Sequence, residues 1–240
     1  MEINSLQNNK VKEWYKLQQK KYRDETGLFI IEEEHLIEEA NKHGLIEHLL
    51  VRKDVNNIFD LEPIYVTEEI MHKLSSTSSL NKYLAICKKP NVTSDKKRCF
   101  ILDQVQDPGN VGTIIRTAYS FGFDTVILSK NCADEYSSKV IRSSQGAIFH
   151  IAVIRDDLDK QISELKQNGC TIYGTSLRNA KGLQEYTPND HFAIVLGNEG
   201  KGVSEAVLDI CDHHVFIEMS QFESLNVAVA GGIVAYYFRK

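Results

Sequence analysis

The amino-acid sequence predicts an α/β protein of two domains. Strand-like apolar runs alternate with helix-like segments along the chain, and a polar stretch that contains proline, Lys88–Lys97, interrupts the alternation. A chain of 240 residues is long enough for two domains that each bury a core. We therefore place a first domain at residues 1–90, a linker at 91–97 and a second domain at 98–240.

The first domain is predicted to begin with a helix at 11–22. Val11, Trp14, Tyr15 and Leu17 recur there at helical spacing and are expected to share one buried side. The elements that follow are strands at 27–31, 45–51, 63–66 and 83–87 and helices at 32–43 and 68–74.

The second domain alternates more regularly. Strands are predicted at 99–104, 125–128, 149–154, 171–174, 193–196 and 215–217, and helices at 111–121, 137–144, 156–168, 203–210 and from 225 onward. Because helical crossovers connect parallel strands, this order predicts a parallel sheet with helices on both faces. Ligands bind at the carboxyl ends of the strands in such sheets, so the loops there are the candidate site.

Composition excludes several classes of protein. Hydrophobic residues make up 42% and charged residues 25%, as in soluble globular proteins. No apolar run reaches the roughly 20 residues of a membrane span, and the first 21 residues lack the apolar core of a secretory signal, so we expect a cytoplasmic protein. The five cysteines form no C-x-x-C pair, which suits a reducing compartment. We expect Cys211–His214 to hold no metal ion.

The net charge of −5 argues at first against a nucleic-acid partner, since phosphate binding depends on Lys and Arg. The excess of acidic residues lies entirely in residues 99–240, however, and Lys10–Arg23 is a basic segment that also carries Trp14 and Tyr15. Two interpretations of this segment stay open, a solvated helix face and a surface that contacts phosphates.

Three polar segments follow strand-like runs in the second domain. They read N-V-G-T-I-I-R-T-A-Y-S-F-G at 110–122, L-G-N-E-G-K-G-V-S at 196–204, and M-S-Q-F-E-S-L-N-V-A-V-A-G-G at 219–232. The second of these segments, 196–204, is a glycine-rich loop. It fits neither a Walker nor a Rossmann phosphate motif, which disfavours a nucleotide-binding small-molecule enzyme. Glycine is expected there because it allows close backbone approach or positive φ.

The polar residues of these segments also have ordinary structural interpretations. Asn110 is predicted to cap a helix that starts at Val111, and Ser224 to cap the final helix, with Asn226 in its first turn. Arg116 lies off the apolar stripe of its helix, and Glu199 lies in a loop.

Taken together, the three segments resemble the motifs of the SpoU (TrmH-like) branch of the SPOUT RNA methyltransferases, over residues 98–240. Residues 3–90 resemble the L30e-like substrate-binding domain that precedes many such catalytic domains. The resemblance implies transfer of a methyl group from S-adenosylmethionine to a ribose 2′-hydroxyl, and a C-terminal trefoil knot that forms the cofactor pocket. It also implies RNA as partner, and no metal.

The resemblance assigns roles residue by residue. Catalytic roles fall to Asn110, Arg116, Glu199, Ser224 and Asn226, and cofactor contacts to Gly174, Thr175, Leu196, Gly197, Ile217, Met219 and Leu225. Arg116 is expected to stabilise the developing charge of the ribose oxygen, with general-base action as a variant, because a guanidinium is normally fully protonated.

Substrate and assembly remain as expectations. The L30e-like domain favours 23S-type ribosomal RNA, with transfer RNA as an alternative and a non-catalytic RNA-binding or ribosome-assembly protein as another. The final helix is apolar on two sides, which predicts a homodimer through the catalytic domain. Glu33 and the turn that begins at Ser79 stand where the family usually has glycine, which leaves the RNA contacts of the first domain open.

Overall fold

The computed structural model describes residues 1–77, 81–187, 189–221 and 224–239. Ser79 and Leu80, where the sequence departs from the family, therefore lie outside the described residues. The chain forms two compact units. Residues 1–91 and 136–142 make the first unit, and residues 92–135 and 143–240 make the second.

The first unit contains a five-stranded mixed sheet. Its strands are β1 (Glu2–Ile3), β2 (Leu28–Ile31), β3 (Ile46–Arg52), β4 (Pro63–Val66) and β5 (Tyr83–Lys88), and its helices are α1 (Asn9–Lys16), α2 (Lys20–Thr26), α3 (Glu34–Lys42) and α4 (Glu68–Leu74). The strand order is β1-β4-β3-β5-β2. The first three strands are parallel, and β5 runs antiparallel to both of its neighbours. Strand β1 was not predicted, because two residues carry no periodic signal.

The single helix predicted at 11–22 is wrong, since α1 ends at Lys16 and α2 begins at Lys20. Val11, Trp14 and Leu17 do enter the core, where they pack with residues of α4. Tyr15, expected on the same side, is 43% exposed. Arg23 is buried, and its Nη1 donates to the Leu17 carbonyl at 2.5 Å. This hydrogen bond connects α2 to the end of α1, and the guanidinium does not face solvent.

The second unit contains a seven-stranded sheet. Its strands are β6 (Arg98–Leu102), β7 (Thr125–Leu128), β8 (Ala152–Arg155), β9 (Thr171–Thr175), β10 (Lys181–Gly182), β11 (Phe192–Leu196) and β12 (His213–Phe216). The helices in this part of the sequence are α5 (Pro108–Ser120), α6 (Ser138–Ser144), α7 (Leu158–Gln167), α8 (Glu205–Asp209) and α9 (Val227–Phe238). The order is β10-β12-β9-β11-β6-β7-β8, and every pairing is parallel, which confirms the predicted parallel sheet.

Alternate residues of the central strands bury opposite faces of this sheet. Cys99 and Ile101 of β6 pack with α7 in one core cluster. On β11, Phe192 lies 5.1 Å from the Phe238 ring of α9, and Leu196 contacts Gly231 of the same helix. Helix α9 packs in turn against α5. Because alternate residues of a strand face opposite sides of the sheet, one set of β11 side chains packs against α9. Helix α9 therefore lies beside the strand that leads into the glycine-rich loop.

Two further predictions have structural outcomes. Glu33 precedes α3 with φ −100° and ψ 136°, an extended conformation that any residue adopts, so this position does not require the glycine typical of the family. Among the described residues, no helix has both the length and the apolar character needed to cross a bilayer.

Candidate active site

The three motif segments meet at one edge of the parallel sheet. Strand β6 leads into the loop before α5, β11 into residues 197–204, and β12 into residues 217–226. These strands are parallel, so their carboxyl ends lie on the same side. The last two segments border a cavity of about 750 Å³, within the usual size range of ligand pockets.

Six of the seven residues assigned to the cofactor line this cavity. They are Thr175, Leu196, Gly197, Ile217, Met219 and Leu225. Gly174 is not among the lining residues. A Cβ at Gly174 would lie 2.9 Å from the Cys211 sulfur and 2.9 Å from a Leu208 methyl group, so this glycine permits close packing beneath the site. The structure therefore gives Gly174 a packing role, and its contact with the cofactor stays a prediction.

Gly197 begins a loop that folds back on itself. A Cβ at Gly197 would overlap the backbone of Gly202 and Val203, so no other residue fits without moving the chain. Asn198 and Gly202 exchange two backbone hydrogen bonds of 2.9 Å, and the Asn198 side chain accepts from the amide of Gly200 at 3.0 Å. The loop is thus closed by its own backbone and by one Asx-type turn.

Helix α5 begins three residues earlier than predicted. Asp107 is its N-cap, with a side-chain oxygen that accepts from the Asn110 amide at 3.0 Å, and Pro108 occupies the first helical position. The predicted capping role of Asn110 is therefore wrong. Because Asp107 satisfies the helix end, the Asn110 side chain is available for other partners.

Asn110 connects the first motif to the other two. Its Nδ2 donates to Glu199 Oε1 at 3.0 Å, and its Oδ1 accepts from Asn226 Nδ2 at 3.0 Å. Asn226 Oδ1 in turn accepts from the amides of Ala228 and Val229, so Asn226, not Ser224, is the N-cap of α9. Both side-chain donors are directed the same way: Asn226 donates to Asn110, and Asn110 donates to the Glu199 carboxylate. This series fixes the orientation of both amides.

Glu199 ends the series as an acceptor of three hydrogen bonds. Besides Asn110, the amides of Gln106 and Asp107 donate to its carboxylate at 3.2 and 3.0 Å. Partial burial acts to raise the pKa of Glu199, but these three hydrogen bonds act against it, and the net result is a lowered pKa. Glu199 is therefore ionised at neutral pH.

Ser224 and Arg116 lie outside this series. Ser224 lines the cavity. Arg116 is exposed on α5, and among the described residues its side chain has no hydrogen bond or ion pair. Six residues separate it from Asn110, which places it about 9 Å further along the axis and about a third of a turn away. Within one chain, Arg116 thus points away from the face that carries Asn110.

Comparison with protein-family models gives two matches. Residues 97–236, more than half of the chain, match the SpoU rRNA Methylase family. The chain belongs to the SpoU rRNA methylase family. Residues 8–85 match the MRM3-like substrate binding domain, so the expected substrate-binding domain is present under that family description.

Relatives of known name agree with this family. The chain is 40% identical to the 23S rRNA (guanosine(2553)-2′-O)-methyltransferase RlmP of Bacillus subtilis, over 99% of both chains. A crystal structure of an RNA 2′-O ribose methyltransferase superimposes with a TM-score of 0.83 at 27% identity, over 99% of this chain and 98% of that one. An AdoMet-bound rRNA methyltransferase from Sinorhizobium meliloti gives 0.86 at 26% identity, over 99% and 97%.

The protein is therefore an S-adenosylmethionine-dependent RNA 2′-O-ribose methyltransferase, as the SpoU motifs predicted. The cavity suits this cofactor. Leu196, Ile217 and Leu225 give it an apolar lining, and the glycine-rich loop from Gly197 brings backbone close to the cavity without side-chain bulk.

Sequence reasoning missed three residues that shape this SpoU site. Asp107 followed by proline is a known helix-start signal, and Asn198 directly after Gly197 is a typical Asx-turn residue. Both signals were available in the sequence. Buried Asp103 accepts from the Ser204 amide at 2.8 Å and so joins the end of β6 to the start of α8. No local pattern indicates this long-range bond.

Proposed function

We propose that this enzyme methylates the ribose 2′-oxygen of a guanosine in 23S ribosomal RNA, at the position that corresponds to guanosine 2553 of its Bacillus relative. The observation that carries the proposal is the 40% identity over 99% of both chains, which includes the substrate-binding domain as well as the catalytic one. Transfer RNA is the alternative substrate. Because ribosomes are cytoplasmic and four of the five free cysteines are buried thiols, we place the reaction in the cytoplasm.

The residues of the site divide the chemistry between them. When bound, S-adenosylmethionine supplies a methyl group on a positively charged sulfur. The ribose hydroxyl would lose its proton to solvent water as its oxygen takes the methyl group, and the guanidinium of Arg116 stabilises the negative charge that develops on that oxygen. The series from Asn226 through Asn110 to Glu199 holds the cavity wall rigid, and Ser224 orients the ribose at its edge.

A second subunit supplies the arginine in this proposal. Arg116 lies on a different face of α5 from Asn110, and it has no partner among the described residues. Helix α9 exposes an apolar stripe next to the site, with Val229 at 52%, Ile233 at 40% and Tyr236 at 57% exposure. Apolar side chains at this spacing favour a protein partner. A twofold homodimer through α9 covers the stripe and brings Arg116 of each subunit to the cavity of the other.

The two domains have separate tasks. Residues 98–240 carry the transfer reaction, and residues 1–90 recognise RNA, in agreement with the family models that match each part. This division predicts that the catalytic residues set kcat whereas the first domain sets the KM for RNA.

Substrate choice is tested with RNA that lacks the modification. Ribosomal RNA and transfer RNA from a strain without this gene are incubated separately with the purified protein and S-adenosylmethionine, and 2′-O-methylnucleosides are measured by mass spectrometry. We expect about one 2′-O-methylguanosine per 23S rRNA molecule and none in transfer RNA. Methylation of transfer RNA alone would establish the alternative, and methylation of neither by a folded, cofactor-binding protein would refute the proposal.

A further inference from the structure

The exposed surface shared by α1 and α4 in the first unit combines an aromatic ring with several positive charges. Tyr15 is 43% exposed although its neighbours Trp14 and Leu17 are buried. Lys73 of α4 places its ammonium group 5.1 Å from the centre of the Tyr15 ring. A cation over an aromatic face is a stabilising arrangement that keeps the ring upright at the surface.

Two further lysines of α1 lie near Tyr15. Lys12 stands three residues before Tyr15 and so neighbours it on the helix surface. Lys16 follows Tyr15 directly, is also exposed, and places its ammonium group 5.4 Å from the centre of the Tyr22 ring. Among the described residues, neither these two lysines nor Lys73 form an ion pair. Lys20 and Lys21, by contrast, pair with Asp24 and Glu25 within α2. Among the described residues, Lys12 and Lys16 are therefore lysines of the basic segment that no carboxylate neutralises.

The surface rests on a rigid base. Val11 and Trp14 of α1 pack with Ile70 and Met71 of α4 in the core of the unit. Just after α1, the Gln18 side chain donates to the Lys73 carbonyl at 3.1 Å, which fixes the register of α1 against α4. The two helices thus hold the backbone of Tyr15 and its lysines at a fixed spacing without a bound partner, so binding requires only the side chains to become ordered.

We propose that Tyr15, Lys12, Lys16 and Lys73, which we name the α1–α4 patch, bind a single-stranded segment of the substrate RNA. A base stacks on Tyr15, and the three ammonium groups contact the phosphates on either side of it. Aromatic rings flanked by cations recognise unpaired nucleotides, because every base offers a flat face and every linkage a negative charge. The inference rests on the proposed function, since it identifies where the first domain holds the RNA.

The test compares four variants of the full-length enzyme, two of which are controls. The first is the triple variant Lys12→Gln, Lys16→Gln, Lys73→Gln. Its matched control is Lys42→Gln, Lys53→Gln, Lys88→Gln, which removes the same charge from lysines of the same unit that pair with Glu39, Glu2 and Glu47. The third is Tyr15→Ala, with Tyr15→Phe as its control because phenylalanine keeps the ring.

The readouts are the kcat and KM on unmethylated 23S rRNA, and the salt dependence of binding to a short single-stranded RNA and to the matching duplex. For the first triple variant we expect a higher KM, an unchanged kcat, and a slope of log K against log salt that is smaller by about 2. Tyr15→Ala should weaken single-stranded binding by about tenfold, with a much smaller effect on the duplex, and Tyr15→Phe should bind like the wild type.

Failure of this inference is distinguishable from failure of the proposed function. If the wild-type enzyme methylates 23S rRNA and both triple variants share its KM and salt slope, the α1–α4 patch does not bind RNA. If both triple variants lose affinity equally, the effect is one of net charge, and the patch is again overturned. An inactive wild-type enzyme that binds the cofactor would refute the proposed function instead. Unchanged S-adenosylmethionine affinity verifies that each variant is folded.

Discussion

Asn226 Nδ2 donates a hydrogen bond of 3.0 Å to Asn110 Oδ1, although 116 residues separate the two. The bond connects the start of α9 to the first turn of α5, and from there Asn110 reaches the carboxylate of Glu199. Each motif of the SpoU site thus contributes one member to a single series. Removal of any member leaves a polar group of its neighbour without a partner, so we expect the three residues to act as a unit.

Asn226 has two tasks that substitution separates. Asn226→Asp keeps the acceptor that caps α9, since aspartate is as good a cap as asparagine, but it loses the donor to Asn110. We expect nearly wild-type stability with a loss of kcat of about 100-fold. Asn226→Ala should lose activity and about 1 kcal/mol of stability. Thermal unfolding and turnover, measured on both variants, check this; full activity of the aspartate variant would show that the bond to Asn110 is dispensable.

Glu199 should function only as a carboxylate. The two carboxylate oxygens of Glu199 now accept three hydrogen bonds, from Gln106, Asp107 and Asn110. In Glu199→Gln one oxygen becomes an NH2 group, so at least one of these three N–H donors meets another donor and loses its hydrogen bond. We expect a large loss of kcat at neutral pH.

The pH dependence follows from the lowered pKa of Glu199. Because its pKa in the folded protein lies below the usual value of 4.5, its contribution to the site is complete above that value and is lost only as the pH falls through the lower one. The wild-type enzyme should therefore keep this network throughout the neutral range. The pH profile of kcat measures this. An ionisation with a pKa near 6 that is present in the wild type and absent from Glu199→Gln would contradict the assignment.

Gly197 and Gly200 form a matched pair in one loop. A Cβ at Gly197 overlaps the backbone of Gly202 and Val203, whereas at Gly200 the nearest atom is Asn198 Oδ1 at 3.7 Å. We expect Gly197→Ala to weaken S-adenosylmethionine binding severely, because the loop must open, and Gly200→Ala to bind nearly normally. Calorimetry on both variants measures the difference. Equal affinities would show that the loop does not form the cofactor pocket.

Arg116 provides a test of the shared site. Arg116→Ala should abolish methyl transfer and keep cofactor affinity, and Arg116→Lys should restore little, because an ammonium does not replace the planar guanidinium. If each arginine serves the cavity of the other subunit, a mixture of Arg116→Ala and Asn226→Ala proteins forms heterodimers with one intact site. After subunit exchange, equal amounts should recover about a quarter of the wild-type activity. No recovery, with heterodimers demonstrated by mass spectrometry, would place Arg116 in its own subunit's site.

The sequence predicted the parallel sheet and the three loops well, because the alternation of strands and helices is a local signal that repeats along the chain. It failed where two capping residues compete. Ser224 and Asn226 are both good N-caps, and only the tertiary bond between Asn226 and Asn110 selects the second. The expectation that Arg23 is exposed as part of the basic segment was wrong for a related reason, since its burial depends on the break between α1 and α2. Local propensity contains neither contact.

The most direct measurement of the central claim is a map of ribose 2′-O-methylation across all RNA of a strain that lacks this gene. We expect the loss of one mark, on the guanosine of 23S rRNA that corresponds to the site of the Bacillus relative. The mark should return with the wild-type gene but not with Glu199→Gln. A map identical to that of the parent strain, or the loss of a mark in transfer RNA alone, would contradict the account.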